Sequence, residues 1–306
     1  MVVDHDIIVI GGGPAGLTAG LYAGRSGLKT LLIERGVIGG LIINAERVEN
    51  YPGFPEGISG VDLTSGMAEQ AMKYGVITLM AEVTGIELVG DKKFVGTSEG
   101  DYVARAVIIT SGSDNRRLGI PGEEEFTGRG VSYCANCDGA FFRDQRVAVI
   151  GGGDSAIEEA LFLTRFASKV AVIHRRDQLR ASKVLQDRAF SNPKIELMWD
   201  TVPEEIIGES AVKCLKLRNV KSGERSTLDV QGVFIYVGQK PNTDYLKGLL
   251  HLDEAGQVIV SQRMETNIPG IFAAGDIRQN AARQVISAAG DGATAAISAN
   301  KYLSEH

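Results

Sequence analysis

Apolar residues in this chain come in short unbroken runs that stop at glycine. Residues 6–10 (DIIVI) are one such run and predict a buried strand. Gly11-Gly12-Gly13-Pro14-Ala15-Gly16 breaks it. Residues 17–26 then carry helical spacing, with Leu17, Leu21 and Tyr22 on one side, and residues 30–34 (TLLIE) form the next strand. Strand, glycine turn, helix and parallel strand make a βαβ unit. The same order returns later. Residues 146–150 (RVAVI) predict a strand, Gly151-Gly152-Gly153-Asp154-Ser155-Ala156 a turn, 157–167 a helix and 169–174 a strand. Such a repeat decides the fold.

Between the two units lie an amphipathic helix at about 61–73 and a strand at 102–110 that ends at Ser111-Gly112. Towards the end come strands at 232–237 and 271–274, the latter ending at Gly275-Asp276, and a helix filling most of 284–303. This order predicts an α/β protein of two Rossmann-like dinucleotide-binding domains, the second inserted into the first. Residues 1–113 and 245–306 form the outer domain and 114–244 the inserted one, with crossings near Asn115 and Asp244.

Composition narrows the class. The 306 residues suffice for two cores, at an ordinary 44% hydrophobic and 23% charged. A net charge of −6 speaks against a broad nucleic-acid footprint. No run approaches the roughly 20 apolar residues of a membrane helix. The start is acidic where a signal peptide would be basic. A cytoplasmic protein without a membrane or nucleic-acid partner is expected.

Each glycine turn follows a strand and opens a helix, the context a dinucleotide-binding turn requires. Gly11, Gly13 and Gly16, with Pro14 and Ala15, let backbone approach a pyrophosphate; Gly151, Gly153, Asp154, Ser155 and Ala156 repeat the arrangement. Glu34 lies 23 residues after Gly11, where an acid bonds an adenosine ribose and repels a 2′-phosphate. The same offset from Gly151 reaches His174, followed by Arg175, Arg176 and, one turn on, Arg180. Guanidinium groups pair with phosphate oxygens in forked geometry. The first site therefore suits FAD and the second NADPH.

Cys134-Ala135-Asn136-Cys137 lies 14 residues before Gly151. Cysteines at this spacing form a small disulfide at a helix start, with one thiol acidified. Zinc competes for such a pair, but a structural site needs four ligands and only Cys214 remains. No metal is expected, and Cys214 reads as a packing residue. Asp138, beside Cys137, fits both a proton shuttle and a helix N-cap.

With these residues in view, the chain resembles the low-molecular-weight thioredoxin reductases over essentially its whole length. The shared segments are GGGPAG at 11–16, GG at 39–40, VENYPG at 48–53, CANCDG at 134–139, GGGDSA at 151–156, HRRDQLR at 174–180, AAGD at 273–276 and RQV at 283–285. The resemblance implies FAD in the outer domain, NADPH in the inserted one and a homodimer. Thioredoxin or a thioredoxin-like protein would be the transient partner. It implies that Cys137 faces the flavin, that Cys134 attacks the partner's disulfide and that Asp138 is the acid/base. Asp276 would bind the ribityl chain, and Arg283, Gln284 and Val285 would cover the pyrimidine end. Arg35, Gly40, Leu41, Asn50 and Gly112 would complete the FAD site. It also implies that the inserted domain rotates between electron steps.

Two stretches depart from the family. Leu41-Ile42-Ile43 stand where Gln and threonines are usual, making the flavin's surroundings more apolar. Ala140 stands where an aromatic is common, leaving Phe141, Phe142 and Arg129 as expected docking residues. Three other readings remain: a peroxidase-linked reductase, a member with another electron donor, and a non-catalytic flavin sensor. The peroxidase-linked kind carries an added N-terminal disulfide region. The HRR run and Arg180 argue against another donor, and the intact CxxC against a sensor.

Overall fold

The computed structural model describes residues 3–45 and 47–306. The chain opens with β1 (Val3–Ile10), α1 (Pro14–Arg25) and β2 (Thr30–Glu34). α1 begins inside the glycine motif, ahead of the apolar spacing that predicted it from 17. Proline's fixed φ and missing donor suit the first helical position, and Gly13 precedes it in extended backbone. Next come α2 (Gly60–Lys73), β3 (Ile77–Met80), β4 (Val83–Val89), β5 (Lys92–Thr97), β6 (Gly100–Ile109) and β7 (Ser113–Asn115). β8 (Val131–Ser132), α3 (Ala135–Asp138), β9 (Arg146–Gly151), α4 (Asp154–Leu163) and β10 (Lys169–Ile173) follow. Then come α5 (Lys183–Phe190), β11 (Ile195–Met198), β12 (Thr201–Gly208), β13 (Val212–Asn219), β14 (Arg225–Asp229), β15 (Gly232–Tyr236) and β16 (Gln239–Pro241). β17 (Ile271–Ala273) and α6 (Val285–Glu305) close the chain.

Backbone contacts divide these elements into two compact units, Met1–Asp114 with Lys240–His306, and Asn115–Gln239. In the first, the sheet runs β3-β2-β1-β6-β5-β4. β1, β2, β3 and β6 are parallel, while β4, β5 and β6 are antiparallel. β5 pairs β6 as far as Ala104, and β17 takes over from Val107, running parallel. β1 is buried on both faces: Ile7 and Val9 meet the helices, and Ile8 and Ile10 the opposite layer. That explains an unbroken apolar run rather than an alternating one.

In the second unit, β11-β10-β9-β15-β8 form a parallel sheet, and β12-β13-β14 an antiparallel one. Val147 and Val149 of β9 face α4, while Ala148 and Ile150 face the antiparallel layer.

α1 and α6 meet through small residues: Ala15, Ala19 and Ala23 on one, Ala288, Ala295 and Ala299 on the other. A Cβ on Gly292 would overlap the Ala15 carbonyl. Next to it, Asp291 accepts from Arg278 Nε at 2.6 Å, Arg278 Nη2 at 2.9 Å and Gly275 N at 3.2 Å. α6 thereby fixes the loop that carries Asp276.

Gly292→Ala should force α6 away from α1 and cost about 1–3 kcal/mol, read as a lowered thermal midpoint. Asp291→Ala strands the mostly buried Arg278 cation. It should cost about 3 kcal/mol or more in chemical denaturation, since removing one partner leaves an uncompensated charge.

Candidate active site

In the first unit, Gly11 sits at φ +110°, and a Cβ there would overlap the Thr110 carbonyl. A Cβ on Gly16 would overlap the carbonyl of Gly11. Backbone thus touches backbone at the turn, and only glycine permits it. Glu34, at the end of β2, accepts from Gly12 N at 2.6 Å and Gly36 N at 2.7 Å. A carboxylate has about four acceptor positions, so it keeps capacity for a hydroxyl. Arg35 pairs with Asp114 at 2.7 Å, and Asp114 also accepts from Asn242 Nδ2 at 3.1 Å. Beside Glu34 lies a cavity of about 240 Å³, lined among others by Gly11, Arg35, Glu82, Ser111 and Tyr245.

Gly39 N donates to Gly12 O at 2.8 Å, docking the second glycine pair on the first motif. Gly40, at φ +66°, lies so close to Gly13 that a Cβ would come within 3.1 Å of its Cα. Leu41 follows and is exposed, with Ile42 and Ile43 half-buried. Gly112, at φ +60°, accepts from Asn242 N at 3.0 Å.

Asn50 Nδ2 donates to Gln284 Oε1 at 2.9 Å, tying segment 48–53 to the start of α6. Gln284 is the N-cap of α6 and forms a capping box with Ser287, and Val285 is the first helical residue. Arg283 stands at φ +56°, an unusual conformation for a residue with a Cβ, storing of order 1 kcal/mol or more. Half-buried Asp276 has no side-chain hydrogen bond among the described residues. Burial raises its pKa, against the pull of Arg283. A carboxylate left this way suits a hydroxyl donor, as on a ribityl chain. The open turn, the spare capacity of Glu34 and unpartnered Asp276 fit FAD.

The second unit repeats the turn with different chemistry. Gly151, at φ +150°, presses on the Tyr236 carbonyl, where a Cβ would come to 2.5 Å. The His174 ring lies against Gly152, while Gly153 faces open space. Gly153 is the N-cap of α4 and supplies no side-chain cap, which leaves first-turn amides for an anion. α4 starts at Asp154, again ahead of the apolar spacing. Asp154 accepts from Ser182 N at 2.6 Å, and Arg180 N donates to Gly152 O at 2.7 Å, so the segment after β10 folds onto the turn. Ser155 is exposed and Ala156 fully buried.

His174 is 6% exposed, and its buried Nε2 has no partner. Burial lowers its pKa, and the charges of Arg180, Arg176 and Arg175 lower it further, so the ring stays neutral near pH 7. Those three arginines are exposed, and none makes an ion pair among the described residues. Unpaired guanidinium groups beside an orphaned ring nitrogen fit the 2′-phosphate end of NADPH. Trp199, edge-on to His174 with ring centroids 6.5 Å apart, carried no signal in the sequence.

Cys134 and Cys137 are joined as a disulfide across the first turn of α3, with Cα atoms 5.4 Å apart. Three amides there are held by side chains. Cys134 N donates to Ser132 Oγ at 3.0 Å, Ala135 N to the Tyr236 hydroxyl at 3.0 Å and Cys137 N to Cys134 Sγ at 3.1 Å. Cys134, not Asp138, is the N-cap of α3. Asp138 precedes the 3₁₀ turn 139–142 and gives it no side-chain cap. Behind Cys134, the Tyr133 hydroxyl donates to Glu123 at 2.6 Å. Buried Glu123 also accepts from Leu118 N at 2.9 Å and Gly119 N at 2.6 Å. Cys137 is exposed and Cys134 half-buried.

Phe141 is 77% exposed, as a docking residue must be. Phe142 corrects the sequence expectation. It packs edge-on to buried Phe234, ring centroids 5.4 Å apart, because Gly232 leaves space for its ring. Arg129 is exposed over the Phe126 ring. Cys214 is free and half-buried in β13. Among the described residues, no group of three or more His, Cys, Asp and Glu could hold a metal ion. No described helix is long and apolar enough to cross a membrane.

Residues 5–292 match the family described as pyridine nucleotide-disulphide oxidoreductase. The chain is 48% identical over 304 residues to a thioredoxin reductase of Listeria innocua, covering 98% of this chain and 94% of that one. A thioredoxin reductase of Streptomyces coelicolor is also 48% identical, at the same coverage. The crystal structure of Lactococcus lactis thioredoxin reductase superposes with a TM-score of 0.97 at 50% identity, over 99% of this chain and 100% of that one. The chain belongs to the pyridine nucleotide-disulphide oxidoreductases and, within them, to the thioredoxin reductases.

Proposed function

We infer that the chain is an NADPH-dependent thioredoxin-disulfide reductase carrying FAD, with Cys134–Cys137 as its redox disulfide. The observation that carries this is the disulfide at a helix N-terminus within a chain that also holds two glycine cradles of opposite charge character. When bound, NADPH and FAD supply the electron pair that reduces the disulfide. The unit Met1–Asp114 with Lys240–His306 is proposed to hold FAD, and Asn115–Gln239 to hold NADPH. Glu34 and Asp276 would orient the one through its hydroxyls, and Arg175, Arg176 and Arg180 the other through its 2′-phosphate.

The chain's own residues account for the rest. Cys134 Sγ already receives the Cys137 amide, a donor that stabilises a thiolate at that atom. Cys134 is therefore the proposed nucleophile. Its thiolate forms a bond to one sulfur of the thioredoxin disulfide and expels the other. Cys137 then displaces the mixed disulfide, closing Cys134–Cys137 again. Asp138, whose carboxylate caps neither turn, is the proposed proton carrier. Exposed Phe141 and Arg129 are the proposed docking residues. The rotation implied by the family resemblance would be taken up at the crossings Asp114–Asn115 and Gln239–Lys240. A cytoplasmic homodimer is proposed, its interface drawn from exposed Tyr22, Met72, Tyr74 and Ile77 on α1, α2 and their flanks.

Of the other readings, a different electron donor is the one the structure bears on. Three unpaired arginines, beside a cradle that has His174 where the first has Glu34, favour NADPH. Arg175→Ala combined with Arg176→Ala should raise the NADPH KM roughly tenfold or more while NADH is nearly unaffected, since charge-assisted bonds are lost only with the phosphate. Equal losses for both cofactors would refute the phosphate clamp. Cys134→Ser or Cys137→Ser should abolish reduction of thioredoxin yet leave NADPH bleaching of the yellow protein intact. Disulfide reduction surviving in either variant would overturn the assignment.

A further inference from the structure

Reducing Cys134–Cys137 adds an electron pair and breaks the S–S bond. One sulfur takes a proton, and the other is left as a thiolate. A second negative charge nearby opposes that anion.

Ala156, Ala160 and Leu163 of α4 lie on one helical face, spaced by three and four residues, and are fully buried. They share an apolar cluster with Ala135 of α3, and Tyr236 packs against it. Gly139, just after α3, lies against Leu163. Glu159 occupies this same stripe, half-buried, and makes no ion pair among the described residues. The Tyr236 hydroxyl holds the Ala135 amide between the two cysteines and feels the charges of both Glu159 and Asp138. Burial, then the charge of Glu158, pushes the Glu159 carboxyl up to about 7.

The titratable groups around Glu159 are thus Glu158 on α4 itself and Tyr236 on β15, with Asp138 on α3 beyond the tyrosine. The other elements packed on α4 turn apolar residues to it: Val147 and Val149 from β9, Val170 and Val172 from β10, Leu185 and Ala189 from α5.

We propose that Glu159, acting across Tyr236, is a positioning residue that couples the redox equilibrium of the Cys134–Cys137 pair to pH. The proposal rests on that pair being the redox disulfide. With Glu159 neutral, the thiolate is unopposed and the reduced pair is favoured. With Glu159 ionised, the thiolate is opposed and the pair becomes a stronger reductant. Reduction in turn raises the proton affinity of Glu159, so part of a proton is taken up there.

The test equilibrates the FAD-loaded protein with dithiothreitol redox buffers between about pH 6 and about pH 8, spanning the raised carboxyl. Alkylation then reports the dithiol fraction. Wild type and Glu159→Gln should agree at the acid end. Towards the alkaline end the variant should hold the dithiol more readily, by roughly three- to tenfold in equilibrium constant. Glu159→Asp should follow wild type, and Glu158→Gln, which removes the second cause of the raised carboxyl, should keep the pH dependence but move it to lower pH. Glu159→Ala should match Glu159→Gln and carries the test if the amide is not tolerated. A wild-type-to-variant ratio that stays constant with pH overturns the coupling. A wild-type pair that never cycles between disulfide and dithiol overturns the redox assignment itself.

Discussion

Everything here depends on backbone meeting backbone where a parallel strand gives way to a helix. At Gly11 and Gly16 there is no room for a Cβ, and Gly151 is equally confined against β15. The close contact lets α1 and α4 begin immediately after their strands, with uncapped first-turn amides at the cradle. Those amides and the positive end of the helix dipole attract a pyrophosphate without any charged side chain. The side chains are then free to distinguish one dinucleotide from another.

On the function proposed above, they would do so by opposite means. In the first cradle Glu34 is drawn into the turn by two amides, which keeps a negative charge where a 2′-phosphate would sit. In the second the equivalent place holds a buried, neutral imidazole ringed by three cations. The imidazole is neutral partly because of those cations. It can therefore lie under them without adding to their repulsion, and the positive charge stays at the surface.

Much of this was legible in the sequence. The repeat was visible because unbroken apolar runs mark strands buried on both faces, as Ile7 to Ile10 and Val147 to Ile150 are. Glu34 and the arginines could be found by counting from each glycine motif. Apolar spacing alone puts the helix starts late, because Pro14 to Gly16 and Asp154 to Ala156 are turn-like in composition yet already helical. Phe142 looked like its exposed neighbour Phe141, since nothing local shows that Gly232 makes space for one ring only. Asp138 looked like a cap because capping by Cys134 Sγ has no sequence signature. Partners distant along the chain were invisible: Asp291 with Arg278, Glu123 with Tyr133, and Tyr236 with Ala135 are set by tertiary packing.

Tyr236 shows why the redox turn and the second cradle share a unit. It is the last residue of β15, paired with Gly151, and its carbonyl is what leaves Gly151 no room for a side chain. Its side chain, from the same residue, holds the Ala135 amide between the two cysteines. The first glycine of the cradle and the first turn of α3 are therefore referenced to one residue. Burial raises the tyrosine's pKa, so the hydroxyl stays neutral and does not add a charge beside the thiolate. A phenylalanine would hold Gly151 equally well but leave the buried Ala135 amide without a partner, at a cost of about 1–3 kcal/mol. What the hydroxyl contributes is thus specific to the redox turn: a fixed first turn of α3, from which the Cys137 amide reaches the sulfur of Cys134.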